Sequence, residues 1–357
     1  MDPVADVDWS MGSYAARLAD WDAALRIGRS VAGSGPKVAP ADRARMREDL
    51  AGHVARAEGY VAAFTSLDVQ GFRARAWVMG RGDWIRQNIA GLQRVMEPLA
   101  ERIHRKRPDR PVGRKTLGVQ AGAILGYVSR RVLGQFDVFL PPDDEGLIYF
   151  VGPNLIEVEQ RFALAPEDFR LWVATHEVTH RVQFSAAPWL RGHMGGLIEE
   201  YLDTVSLESG ELLGQLKRAA EEIRQGADLR GPGGLLLLLS PEQRAIFERT
   251  QALMSLLEGH ASYVMDEVAV DHVRDLPRLK RALKARRQVA GMEKTFQRVI
   301  GFDQKVAQYD AGEAFVREVI DRAGQGGFNV VWSAPACLPT KDEIADPARW
   351  VDRVLTR

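Results

Sequence analysis

Two histidines four residues apart, His176 and His180, enclose Glu177 in a stretch whose apolar residues repeat at helical spacing. On an α-helix, side chains four residues apart lie on one face, so both imidazoles can reach a single metal ion. Glu177 then lies beside the open coordination position, where a carboxylate can take a proton from a water that zinc has acidified. The motif predicts a helical zinc site with a general base; the alternative is a surface helix that carries two histidines.

The residues around the motif predict where its helix begins and which face is buried. Pro166 suits the first helical position, and the acids Glu167 and Asp168 follow in the first turn, where the helix dipole favours negative charge. Spacings of three and four then connect Phe169, Trp172, Val173, His176, His180, Gln183 and Phe184. Bulky apolar residues on both sides of the histidines would bury this face and hold the imidazoles, and Pro188 marks the expected end.

Composition excludes several classes of protein. The 357 residues include 48 basic and 48 acidic side chains, so no global field draws the chain to nucleic acid or to an acidic membrane. Cys337 is the only cysteine, which excludes an internal disulfide and a zinc site built from several thiolates. The first residues lack the apolar core of a secretory signal, and no apolar stretch reaches the roughly 20 residues of a membrane span. We therefore expect a cytoplasmic protein.

The pattern along the chain predicts a mainly α-helical α+β fold in three regions. Residues 1–111 form an N-terminal helical region, with a bundle of helices at 13–27, 40–64 and 83–105 and a boundary in the basic, proline-rich segment 106–111. Residues 112–272 form the catalytic core, and residues 273–357 form a mainly helical region that packs on it. Within the core, Gly118, Gly122 and Gly126 recur every fourth residue, which indicates close packing of one helix on another.

The core is predicted to contain a small sheet followed by helices. Residues 136–140 and 147–151 are β-branched or aromatic runs on either side of a turn, and they precede the motif helix. A helix is expected near 197–217 after a glycine-rich patch, and residues 231–234 form a loop that could act as a flap. A long helix should begin with Ser240 as its N-cap and end near His272. Beyond it, we expect a solvated basic helix at 278–287, a short strand at 328–332 and a closing helix at 346–355.

A catalytic zinc normally has three protein ligands, so the motif helix needs a partner. The segment from Glu258 to Tyr263 resembles the Glu-Gly-x-Ala-x-Tyr stretch of aminopeptidases in the gluzincin group, and this resemblance implies Glu258 as the third ligand. His260 is the competing candidate, but it lies about 200° around the helix from Glu258, so both cannot easily bind the same ion. His193, in the glycine-rich patch, is a further alternative.

Taken together, Thr175 to Phe184, Pro188-Trp189 and Glu258 to Asp266 resemble the zincin-like metallopeptidase family, formerly a domain of unknown function. Some of its members are labelled as hydrolases, and others are named for genomic association with deazaflavin coenzyme biosynthesis. The resemblance covers most of the chain and implies a zincin-like metalloprotease core with a small β-sheet and added helices. It implies a Zn2+ cofactor held by His176, His180 and Glu258.

Two positions depart from better characterised zincins. Arg181 follows the second histidine, where many zinc proteases have an uncharged residue, and Ser262 stands where thermolysin-like enzymes have an aspartate that orients the first histidine. The groups that orient the ligands must therefore come from elsewhere, with Asp266, Glu199 and Glu200 as candidates.

The sequence therefore predicts a zinc-dependent metallohydrolase, in the first place a metallopeptidase, with Glu177 as general base. Tyr263 and His260 are candidates for the group that donates to the developing oxyanion, although Tyr263 could equally be a core aromatic. The expected partner is a peptide or small amide substrate, with no nucleic acid and no membrane. The rival hypotheses are a zincin-fold metal-binding or scaffold protein without peptidase activity, and a hydrolase of small amides or esters.

Overall fold

The computed structural model describes residues 13–36, 38–67, 73–106, 113–138, 146–205, 239–287 and 302–356. Most of them are helical, and three short strands form one sheet, so the predicted mainly helical α+β class is confirmed. The chain divides into two compact units, of which the first comprises residues 1–57 and 71–177 and the second residues 58–70 and 178–357. The three-region division stays a prediction. Among the described residues, none of the helices has both the length and the apolar character that a membrane span requires.

Two helices are shared by the units. These are α2 (Pro40–Thr65) and α6 (Pro166–Ala186), and each contributes residues to both. Among the described residues, the other α-helices and strands of the first unit are α1 (Trp21–Ala32), β1 (Arg75–Met79), α3 (Arg81–Lys106), α4 (Arg114–Ser129), β2 (Gly134–Phe136), β3 (Leu147–Val151) and α5 (Gly152–Phe162). Those of the second unit are α7 (Trp189–Asp203), α8 (Pro241–His272), α9 (Leu276–Arg287), α10 (Phe302–Asn329), α11 (Lys341–Ala345) and α12 (Pro347–Leu355).

The sheet of the first unit is built around β3, in the strand order β1-β3-β2. β3 pairs parallel with β1 and antiparallel with β2, and all five of its residues are buried. Both faces of β3 are covered, which explains why its sequence is a continuous apolar run without alternation. The predicted strand at 147–151 is confirmed as β3, and a strand before it pairs with it in the antiparallel direction. That strand is β2, Gly134–Phe136, rather than 136–140: residues 137 and 138 are not in a strand, and residues 139–145 lie outside the described part of the chain.

Two features of the first unit differ from the sequence prediction. β1 was not expected within the N-terminal helical region, and α5 separates β3 from the motif helix. The expected bundle also has a different third member, because α1 packs mainly on α4 and α3 rather than on α2. Propensity alone cannot identify β1, since a strand of five residues is defined by its pairing partner rather than by its own pattern.

The glycine stripe of α4 is where α1 and α4 pack most closely. A Cβ atom built on Gly118 would lie 2.3 Å from the carbonyl oxygen of Asp20, and one on Gly122 would lie 2.4 Å from that of Ala24. A Cβ atom on Gly126 would lie 2.6 Å from the carbonyl oxygen of Gly28. Real Cβ atoms essentially never approach so closely, so only glycine permits this helix pair. The prediction of close helix packing is confirmed.

In the second unit, α8 begins at the predicted residue for the predicted reason. The Ser240 side chain accepts a hydrogen bond from the Gln243 amide at 3.1 Å, and the Gln243 side chain accepts one from the Ser240 amide at 2.9 Å. This reciprocal capping box satisfies two donors that a helix start leaves unpaired. The helix then extends to His272, as predicted.

The packing of α8 on α10 depends on two glycines. A Cβ atom on Gly312 of α10 would lie 1.9 Å from the carbonyl oxygen of Ser255, and one on Gly259 would lie 2.2 Å from the Gly312 backbone. The two helices therefore touch backbone to backbone next to Glu258. The packing of α8 on α10 therefore requires the glycine that follows Glu258 in the sequence.

Several expectations for the C-terminal half need correction. Residues 328–332, predicted as a strand, form the end of α10 and a 3-10 helix at Val330–Trp332. The helix expected at 197–217 is α7, which begins earlier and includes the glycine-rich patch, while residues 206–238, with the predicted flap, lie outside the described residues. The basic helix and the closing helix are confirmed as α9 and α12.

We predict that Gly122→Ala destabilises the protein. The new methyl group would collide with the Ala24 carbonyl, and such overpacking costs about 1–3 kcal/mol in free energy of unfolding. Chemical denaturation measures this cost. The matched control is Gly52→Ala in α2, an exposed glycine with nothing within 4 Å of an added Cβ, which should be neutral or gain up to about 1 kcal/mol from helix propensity. Equal stabilities of the two variants would contradict the packing argument.

Candidate metal centre

The motif helix α6 begins at the predicted residue, and the predicted face of it is buried. Pro166 is its first residue, with two acids in the first turn. Phe169, Trp172 and Val173 are buried on its apolar side, and Thr175 Oγ1 donates to the Leu171 carbonyl at 2.9 Å. The helix therefore presents its two histidines from a rigid, packed element rather than from a loop.

Three side chains of this region lie close enough to bind one metal ion. His176, His180 and Glu258 each offer a ligand atom, and these atoms all lie within 4.8 Å of one another. Two of these side chains come from successive turns of α6 and the third from the middle of α8. Within the described ranges, no other group of His, Cys, Asp and Glu meets this criterion. All three side chains are half-buried and keep some contact with solvent.

The spacing and chemistry of this group fit zinc. Imidazole nitrogen and carboxylate oxygen bind zinc at about 2.0–2.2 Å, so neighbouring ligands of a tetrahedral ion lie about 3.3–3.6 Å apart. His180 Nε2 lies 3.6 Å from Glu258 Oε2. Two neutral imidazoles and one carboxylate are also the donor set of many catalytic zinc sites, which leave a fourth position open. The residues present therefore suit the ion that the motif implies.

Glu177 is held against the edge strand β2. Its side chain is buried, and its Oε2 atom accepts a hydrogen bond from the Phe136 amide at 3.0 Å. Gly134, two residues earlier in β2, lies so close that a Cβ atom there would be 2.6 Å from Glu177 Cγ and 2.8 Å from Oε1. The strand thus fixes the position of the Glu177 carboxylate and leaves no room for a side chain at position 134.

His180 has a polar contact with Gln183, one turn further along α6. His180 Nδ1 lies 3.0 Å from Gln183 Oε1, and Gln183 Nε2 donates to the Leu257 carbonyl at 2.8 Å. The sequence placed Gln183 on the histidine face without assigning it this contact. An amide or carboxylate three residues after a ligand histidine is the signal that could have identified it.

The sequence suggested three carboxylates for the role of orienting the ligands, and two of them form ion pairs elsewhere. Asp266 Oδ2 lies 2.6 Å from Lys280 Nζ, and Glu200 Oε1 lies 2.5 Å from Arg249 Nη2. Glu199 is exposed on α7. The prediction overlooked an uncharged group because carboxylates are the more familiar partners of ligand histidines.

His260, the competing third ligand, is placed away from the three-residue group. Its ring is fully buried, and the ring centroid lies 5.1 Å from that of Phe328 and 5.3 Å from that of Trp332. His260 Nδ1 lies 3.0 Å from Gln183 Nε2. Burial, followed by the nearby His180, lowers the pKa of His260 to about 3. The ring is therefore neutral at physiological pH.

Two further candidates from the sequence also have defined surroundings. His193 lies within α7 rather than in a loop, and its ring centroid is 5.9 Å from that of Trp189. Tyr263 is buried beside Phe64, with the Arg317 guanidinium 4.9 Å from its ring centroid. Burial raises the pKa of Tyr263, as does the Glu267 carboxylate. Its role as an oxyanion donor stays a prediction, which Tyr263→Phe can test.

Arg181, the charged residue that follows the second histidine, is a structural residue. It is buried, and its Nη1 atom lies 2.7 Å from Glu58 Oε1. A buried charge is tolerated when it is paired, and removing one partner of such a pair costs several kcal/mol. Arg181, which stands where many zinc proteases have an uncharged residue, therefore contributes to the packing of α6 and does not belong to the proposed metal-binding face.

This arrangement is that of a zincin, and the comparisons with known proteins agree. The chain matches the zincin-like metallopeptidase family over residues 19–351. The chain therefore belongs to the zincin-like metallopeptidase family, as the sequence motifs predicted.

Among solved structures, the chain is similar to a protein from Chloroflexus aurantiacus whose crystal structure is described as a "putative hydrolase with a novel fold". The two share 31% sequence identity with a TM-score of 0.72, and the match covers 95% of this chain and 100% of the other. No curated protein matches the chain.

We predict that Gly134→Ala displaces Glu177 and weakens the fold locally. Loss of the hydrogen bond from the Phe136 amide to a charged acceptor should lower the free energy of unfolding by about 1.5–3 kcal/mol, and hydrogen exchange at that amide should accelerate. In a Glu177→Ala background the methyl group meets no carboxylate, so Gly134→Ala should cost much less. Additive effects in this double-mutant cycle would contradict the contact.

Proposed function

We propose that this protein is a zinc-dependent metallohydrolase, and specifically a metallopeptidase, with its centre at His176, His180 and Glu258. The observation that carries the proposal is the convergence of these three ligand atoms within 4.8 Å, with the buried Glu177 next to the first ligand on the same helix. Membership of a metallopeptidase family and likeness to a protein described as a hydrolase support the same class.

The ligand set determines what the centre can do. His176, His180 and Glu258 would hold the ion and leave one position for water or substrate. When bound, zinc supplies Lewis acidity, which makes water a nucleophile near neutral pH and polarises a carbonyl group. The half-buried setting of the three side chains strengthens electrostatic interactions there, because water screens them less.

Glu177 is the proton carrier in this mechanism. Its carboxylate takes the proton of the attacking water and then delivers it to the leaving amine, in the usual order of general base and general acid. The Phe136 amide donates to Oε2, and this hydrogen bond keeps the carboxylate in one orientation. A fixed carboxylate requires less reorganisation when the proton moves. Tyr263 is the proposed donor to the developing oxyanion.

The Glu177→Gln variant tests the chemical step. The amide keeps the size of the side chain but cannot accept the proton, so hydrolysis should fall by about 10²–10⁴-fold while zinc content is unchanged. Hydrolysis is followed by mass spectrometry on a peptide library and, in parallel, on small amides and esters. The matched control is Glu167→Gln, an exposed glutamate on the same helix, which should retain full activity.

The outcomes of that experiment separate the rival functions. Activity on small amides or esters but not on peptides would replace the peptidase with a small-amide hydrolase. A zinc-loaded protein that cleaves neither class would be a metal-binding scaffold. If the protein purified without added metal contains no zinc and binds none, the metallohydrolase proposal is wrong.

Glu258→Ala tests the third ligand. A group that merely orients a zinc ligand contributes about 10–100-fold to affinity, so loss of a ligand should weaken zinc binding by more than about 100-fold. Competition with a chromophoric chelator measures the affinity, and thermal unfolding with and without zinc provides a second readout. The control is Glu248→Ala, an exposed glutamate on the same helix. Unchanged affinity in Glu258→Ala would exclude this residue as a ligand.

A further inference from the structure

One side-chain amide of the second unit connects the half-buried His180 with the fully buried His260. Gln183 Oε1 lies 3.0 Å from His180 Nδ1, and Gln183 Nε2 lies 3.0 Å from His260 Nδ1. Gln183 is itself fully buried, and its Nε2 atom also lies 2.8 Å from the Leu257 carbonyl oxygen. Its three polar neighbours thus belong to α6 and α8, the helices that carry the ligand residues.

The Leu257 carbonyl decides which way the amide points. A carbonyl oxygen can only accept hydrogen bonds, so the NH2 group of Gln183 must face it. A flipped amide would set two oxygen atoms against each other at 2.8 Å, in a place where burial makes an unmatched polar contact costly. The contact with Leu257 therefore fixes the oxygen of Gln183 toward His180.

This orientation leaves His180 a single tautomer. Since Gln183 Oε1 can only accept, His180 Nδ1 must carry the hydrogen, and the lone pair of the neutral ring is then at Nε2. Nε2 is the atom that lies 3.6 Å from Glu258 Oε2. The ring thus offers its lone pair on the side where the other proposed ligand atoms converge.

His260 stabilises the same orientation from the other side. Its Nδ1 atom accepts from the second hydrogen of the Gln183 NH2 group, so its own hydrogen is at Nε2. Phe328 and Trp332 pack on the fully buried ring and help to hold it in this position. Both hydrogens of the amide are therefore used, one by Leu257 and one by His260.

We propose that Gln183, anchored by the Leu257 carbonyl and His260, is a positioning residue that sets the tautomer of His180 for metal binding. The proposal rests on the zinc centre of the proposed function, and it gives His260 a supporting role in place of that of a ligand. Gln183 supplies orientation without charge, whereas the carboxylate partners common in zinc sites also raise the basicity of the ligand ring. Its three contacts tie the second ligand to the helix that carries the third.

Gln183→Met tests the proposal, because methionine keeps the length of the side chain but removes both hydrogen-bonding groups. Zinc affinity, measured by chelator competition, should fall by about 10–100-fold. In the metal-free protein, nitrogen-15 NMR of the histidine rings should show His180 with its hydrogen at Nδ1 in the wild type and a mixture of tautomers in the variant. The signals are assigned by single histidine substitutions. The control is Gln251→Met on α8, which should match the wild type.

His260→Phe provides a second variant that keeps an aromatic ring between Phe328 and Trp332. Leu257 still anchors the amide, so zinc affinity should fall less than in Gln183→Met. The double variant should be no weaker than Gln183→Met alone, because His260 acts through Gln183. Circular dichroism confirms that each variant is folded, so that a change in affinity reports on the site.

Two results would overturn the proposal: a folded Gln183→Met protein with wild-type zinc affinity, or a wild-type His180 with its hydrogen at Nε2 in the metal-free state. Failure of the proposed function looks different. A wild-type protein that binds no zinc, or that cleaves no substrate, contradicts the metallohydrolase. The tautomer measurement on the metal-free protein is independent of both.

Discussion

The position of Glu258 depends on the contact between α8 and α10, where two backbones meet without side chains between them. Gly259 and Gly312 permit this contact, since a methyl group on either residue would overlap the other helix. Glu258 is the residue next to the contact, so the close approach of α10 fixes the turn of α8 that carries the proposed third ligand. Gly259, beside the proposed ligand, thus places a packing contact and the proposed metal site in one short segment.

The chemistry of the site is distributed over elements that are rigid for separate reasons. A buried apolar side holds α6, a capping box starts α8 at Ser240, and the edge strand β2 holds the carboxylate of Glu177 through a backbone amide. Each proposed functional side chain therefore comes from a helix that packing already orders. Such placement suits catalysis, because ligands and base keep their geometry without a further cost in entropy when substrate binds.

Local patterns predicted those elements whose physical cause is also local. The start of α6 at Pro166 and the Ser240 cap were readable, because each depends on residues within a turn. The spacing of the α4 glycines indicated close helix packing, but it did not identify α1 as the partner, because that contact joins distant parts of the chain. The strand expected at 328–332 was wrong, because a short, mainly apolar run fits a buried helix end as well as a strand. β1 was missed because its identity comes from pairing with β3, far along the chain.

The sequence by itself determined that His176 and His180 share a helix face, since residues four apart do so wherever the helix lies. The same motif, with Glu177 between the histidines, also predicted the zincin-like family. Only the tertiary structure decided which groups contact the motif helix at these positions: Phe136 of β2 at Glu177, Glu58 at Arg181, and Gln183 between His180 and His260. Gln183 and His180 are neighbours on α6, but the residues of the other pairs are 41 to 123 positions apart in the sequence. Long-range packing, which no local pattern encodes, sets the orientation of each functional group.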